Sequence, residues 1–187
     1  MDTLGWFAAD TGHTDPGSVP VPRPYLPRSD LQWAAAGDQV FVAPASAATI
    51  RTLQLDGQAR GSFRVSSSPR RVADRDLQEL MDAALRRIPR PNDRRVVAEW
   101  YSGMPRAEQT PAIRSLVASQ AREVWVESWD REGGGSVWLV VDDTGRPLSR
   151  VVAPPASTLL AVGTDWTLWL WRDEFDVEHI RLHGLRR

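Results

Sequence analysis

Short runs of alternating apolar and polar residues, broken by small-residue turns, recur along this chain and set its architecture. Three segments superpose on their apolar positions, "LQWAAAGDQVFV" from Leu31, "LVASQAREVWV" from Leu116 and "LLAVGTDWTLWL" from Leu159, which is the signature of internal repetition. In each, a short apolar strand enters a turn near Gly37, Ala121 or Gly163. A second strand follows, alternating Val40 and Val42, Val124 and Val126, or Trp166, Leu168 and Leu170. Period-2 alternation of this kind predicts half-buried strands. A second hairpin follows the first two segments, turning at Asp56-Gly57 and at Asp143-Thr144-Gly145, the residues a tight turn with positive φ requires. Each unit therefore reads as a four-stranded up-and-down antiparallel sheet.

A different period interrupts the pattern between the first two units. In "DRDLQELMDAALRRI", Leu77, Leu80, Met81, Ala84, Leu85 and Ile88 fall three and four residues apart. Asp74 or Asp76 suits the cap and Pro89 ends the run, so an amphipathic helix is expected. A second helical stretch is expected in "DRRVVAEWYSGM". With this insert of residues 66–111 removed, Gly57 and Gly145 stand about 42 residues apart, inside the ~40–45 residue period of a four-stranded propeller blade.

The organisation expected is an all-β chain with a helical insert: an outer strand over residues 1–7, a Pro- and Gly-rich loop over 8–30, a blade over 31–65, the insert over 66–111, a blade over 112–155 and three strands of a last blade over 156–187. Leu4-Gly5-Trp6-Phe7 parallels Arg60-Gly61-Ser62-Phe63, which is why the first residues read as the outer strand of a unit. About three blades, half of a six-bladed propeller, result.

These features, with the turns "LDGQ" and "DDTGRPL" and the closing "LLAVGTDWTLWLWRDEFDVEHIRLHGL", resemble the C-terminal half of bacterial six-bladed β-propellers of the NHL-like type, from about Leu4 onward. The resemblance implies an architecture and no catalytic motif. It also implies a full-length form about twice as long and often exported, whereas this chain lacks the first three blades and an export signal.

Composition narrows the function classes. The net charge is −1 and the pI is near 6.3 although every one of the 23 basic residues is Arg, which argues against a nucleic-acid partner. There is no Cys, hence no disulfide, thiolate metal site or Cys nucleophile. No apolar run reaches the ~18 residues of a membrane span, and the N-terminus lacks the pattern of a signal peptide. The compartment stays undefined.

Candidate chemistry is sparse. His179 and His183 are four residues apart beside Glu178, but on a strand they stand about 13 Å apart and cannot share an ion. His13 has no visible partner. The acidic run Asp173, Glu174, Asp176 and Glu178 reads as a solvated hairpin, and "EGGGS" as a β-turn, because a phosphate-cradling loop opens a helix. The arginines of "SSSPRR" and "RRIPRPNDRR" are interspersed with Asp74, Asp76 and Asp93 and read as a solvated face. Neither catalytic residues, nor a metal site, nor a cofactor is expected.

Nine Trp are present, and most are expected to fill the wedges between blades. Four aromatic residues stand out as ligand contacts: Trp129 and Trp138 flanking the "REGGGS" turn, and Trp100 and Tyr101 in the insert, where loops projecting from a propeller face carry variable contacts. The reading is a non-enzymatic binding or scaffold module for a protein, peptide or carbohydrate. One alternative is a metal-assisted hydrolase or lactonase, which needs Asn, Asp and Glu from several blades, whereas Asn92 is the only Asn. Another is a truncated, inactive fragment of a longer propeller. Three blades leave the faces of the first and last open, with Trp169 or Trp171 exposed there. Two copies are therefore expected to close a six-bladed ring as a homodimer, the residue 1–7 strand completing the partner's last sheet.

Overall fold

The computed structural model of the chain describes residues 26–27, 31–44, 47–175 and 177–186. The expected outer strand over 1–7, the loop over 8–30 apart from Leu26 and Pro27, His13 and Asp176 lie outside those residues. The described chain divides into a β unit, Leu31–Ser68 with Ala112–Arg187, and a smaller unit that includes Pro69–Pro111.

The β unit contains three antiparallel sheets, each made of strands consecutive in sequence. The first holds β1 (Gln32–Ala36), β2 (Gln39–Ala43), β3 (Thr49–Gln54) and β4 (Ala59–Arg64). The second holds β5 (Ser115–Ala118), β6 (Glu123–Glu132), β7 (Gly135–Asp142) and β8 (Pro147–Val152). The third holds β9 (Ser157–Val162), β10 (Trp166–Arg172) and β11 (Glu178–Gly184). Neighbours in sequence pair because two-residue and slightly longer turns cost little loop-closure entropy.

Apolar clusters fill the space between successive sheets. Phe41 and Ile50 of the first sheet meet Val124, Val126 and Val141 of the second, and burying each such side chain contributes about 1.5–3 kcal/mol. On the other face of the second sheet, Trp125, Trp138 and Val140 meet Leu159, Val162 and Trp169 of the third. The second sheet is thus covered on both faces, which explains why "VWV" and "VWLVV" run apolar without a break. Contact at the first gap is close. Gly145, with φ of 88°, ends the β7–β8 turn against Phe63 of β4, and a Cβ there would lie 2.5 Å from that of Phe63.

The third sheet departs from the repeat. Alignment by sequence puts Leu168 and Leu170 where Val124 and Val126 stand, facing the preceding sheet. Instead Thr167 pairs with Val162 and Trp169 with Leu159, and the register shifts between Leu168 and Trp169. The bulged residue on β9 is Leu160. The extra residue lies on β9, so Leu159 and Val162, three apart, both face the second sheet. On the unbroken β10 it is the Thr167 and Trp169 face that meets them, and Trp169 is 4% exposed rather than lying on an open face as expected. Trp171 is part-buried under the guanidinium of Arg181, 3.8 Å from the ring centroid. The open face is aliphatic: Leu168 pairs with Leu182 and Leu170 with Ile180, and Ile180 and Leu182 are 61% and 67% exposed. The corresponding face of the first sheet is not open, since Val40, Val42 and Leu53 form a buried cluster there.

The smaller unit contains α1 (Asp74–Arg86) and α2 (Pro91–Ser102). The expected cap is met by Asp76 in an unexpected way. From the third helical position its Oδ2 accepts the Ala73 backbone N–H at 2.8 Å, and both carboxylate oxygens accept from Arg70 at 2.8 and 2.7 Å. Pro91 opens α2, where its missing N–H costs nothing. The ends of the insert are pinned to each other, because Arg70 and Thr110 exchange two hydrogen bonds and Arg71 bridges Gln109.

Candidate functional site

The first strands of the three sheets come together: β1 lies beside β5, and β5 beside β9. Among the described residues each is an edge strand of its own sheet, so each presents a row of backbone N–H and C=O groups that no ladder between described strands uses. Between them opens a recess of about 530 Å³ lined by residues 33–37, 116–118 and 160–164 with Gln120 and Trp166. Small side chains make room for it. Ala35, Ala36, Gly37, Ala118, Ala161 and Gly163 occupy the positions where the strands converge.

Gly163 has a further role. A Cβ at this position would fall inside the indole of Trp166, so the ring lies directly on the glycine backbone. The Gly163 N–H also donates to the Trp166 carbonyl at 2.8 Å. Trp33 on β1 is 66% exposed. One indole thus comes from the first sheet and one from the third, with β5 between the strands that carry them.

The four aromatic residues singled out in the sequence are placed differently. Trp100 on α2 is 51% exposed and meets Tyr101 edge-on, centroids 5.4 Å apart. Trp129 and Trp138 are buried, 7% and 2% exposed. Trp138 packs edge-on against Trp169 at 6.3 Å, and the Arg114 guanidinium lies 4.9 Å over the Trp129 ring. Trp138 belongs to the apolar cluster between the second and third sheets. Trp33, Gln120 and Thr164 escaped notice in the sequence. The available signal was "WAAAG", a strand with a large aromatic followed by side chains too small to cover it.

Charged clusters lie elsewhere and act locally. Asp142 accepts from the Thr144 hydroxyl and backbone and from Arg146, holding its pKa down to about 2. At the β10–β11 turn Asp173 accepts from His179 Nε2 at 2.9 Å and from the backbone of Phe175 and Val177. The His179 contact first, then the backbone bonds, lower its pKa. Among the described residues no group of three or more His, Asp or Glu is placed to hold a metal ion, and no helix is long and apolar enough to cross a membrane.

Comparison of the chain with protein-family models and with curated proteins returned no match.

Proposed function

We propose that this chain is a non-enzymatic binding module of β-propeller type, in which the three sheets are consecutive blades and the recess at their inner strands receives the ligand. The observation that carries the reading is the side-by-side order of β1, β5 and β9, each the first strand of its sheet, with apolar clusters between successive sheets. Sheets that radiate from converging first strands are the arrangement of blades about an axis. Ligands of such folds are held by side chains at strand ends and loops, on a scaffold that itself dictates no chemistry.

The chain has no Cys, so spin labels can be introduced singly without background. Labels on the inner strands at Ala35, Ala118 and Leu160 are expected to form a smaller triangle than labels on the outer strands at Arg60, Leu148 and Ile180. Equal triangles would remove the blade arrangement. Copies that close a six-bladed ring are expected to meet through the exposed face of the third sheet, at Ile180 and Leu182.

A further inference from the structure

We propose that the recess between β1, β5 and β9 takes a neutral saccharide, with Trp33 and Trp166 as its stacking surfaces. This rests on the binding-module reading above and adds the ligand class. Fifteen described residues line the recess and none is charged, although charged residues make up 25% of the chain. A surface lining of that size drawn at random would hold about four. An ionic ligand would give up hydration for a site that returns no opposite charge, which makes its transfer unfavourable.

The lining is nonetheless rich in hydrogen-bonding groups. The edge backbone of the three strands where they line the recess, at residues 33–36, 116–118 and 160–162, supplies both donors and acceptors, the Gln120 amide supplies both, and the Thr164 hydroxyl supplies both. A ligand that matches them carries many neutral groups able to donate and accept at once. Sugar hydroxyls do so, and the C–H face of a pyranose is the apolar surface that an indole covers. Trp33 is the most exposed tryptophan among the described residues, at 66%, and Trp166 is held in place by the Gly163 backbone beneath it. The volume, about 530 Å³, suits a short oligosaccharide rather than a metabolite buried from solvent.

Titration calorimetry and tryptophan fluorescence of the full chain with cellopentaose, maltopentaose and chitotetraose, each to about 10 mM, would register affinities as weak as a Kd of ~1 mM. Saturable binding of at least one, unchanged by added salt because no charge is involved, is expected. Trp33→Ala and Gln120→Ala are at exposed positions and should leave the melting temperature in place while weakening that binding roughly tenfold. The proposal is overturned if none of the three binds, or if binding survives both substitutions. It is equally overturned if oligogalacturonate binds as tightly as the neutral sugars. Saturable binding of an uncharged Ala/Gly pentapeptide in their place would overturn the saccharide and leave the binding module standing. Failure of the inner-strand label triangle would instead remove the module reading itself.

Discussion

The indole of Trp169 stands edge-on to that of Trp138, centroids 6.3 Å apart and planes at 88°, and this contact joins the third sheet to the second. Both indole nitrogens are satisfied by the same device. Trp138 Nε1 donates to Ser136 Oγ at 3.0 Å and Trp169 Nε1 to Thr167 Oγ1 at 2.8 Å, in each case a hydroxyl two residues earlier on the same strand face. Trp125 repeats it with Glu123 at 3.3 Å. Alternate residues share a face, so a polar residue at i−2 satisfies a buried indole without another element.

Trp169→Ala should therefore cost about 3–5 kcal/mol, with Trp169→Phe much milder. A double-mutant cycle with Trp138→Phe should show a coupling of about 0.5–1.5 kcal/mol, read from urea unfolding. Independent effects would mean that the edge-on contact contributes nothing beyond burial.

Gly163→Ala should destabilise by about 1–3 kcal/mol, the usual cost of overpacking, because the new methyl enters the Trp166 ring. In a Trp166→Ala background the same substitution should cost little. Equal penalties in both backgrounds, measured by thermal unfolding, would show that the ring is not the obstacle.

Asp142 makes a signed prediction about acid. Its folded pKa of about 2 lies below the ordinary value near 3.9, so the stability its ionised form brings is complete above about pH 4 and is lost as pH falls through about 2. Asp142→Asn should flatten the unfolding midpoint over that window and change little of its pH dependence near neutrality. An acid limb identical to that of the parent chain would contradict the assignment.

Asp76→Ala removes the bidentate partner of Arg70 and the acceptor of the Ala73 N–H. Loss of a cap typically costs about 1 kcal/mol, and breaking a buried pair about 3–5. Helical ellipticity should fall at lower temperature than in the parent while the β signal keeps its midpoint. Simultaneous loss of both signals would show that the two units unfold as one.

Ile180→Ser with Leu182→Ser alters exposed positions, so the melting temperature should move little, within ~0.5 kcal/mol each. Light scattering should show concentration-dependent association in the parent chain and less of it in the variant. An unchanged mass distribution would mean that the open face of the third sheet is not where copies meet.

What the sequence determined by itself is what local chemistry decides. Period-2 alternation made β2, β3, β6 and β7 legible as strands, Asp-Gly and Gly-rich turns made the hairpins legible, and the three- and four-residue spacing of Leu77 to Ile88 marked α1. The chain order within each sheet followed, because a short turn joins only neighbours.

Tertiary structure decided which face of each strand is covered, and with it the candidate site. Alternation has the same period whichever face turns inward, so the pattern of β10 was equally compatible with burying Leu168 or Trp169. Packing against Trp138 and Val140 of the second sheet chose Trp169. In the same way Trp138 read as a surface residue beside a turn until the third sheet covered that face of β7. The recess had no sequence signal beyond "WAAAG" on one of its three strands. It exists because three edge strands, more than 120 residues apart from β1 to β9, converge with side chains too small to fill the gap, and convergence of distant strands is a property of packing that no local pattern encodes.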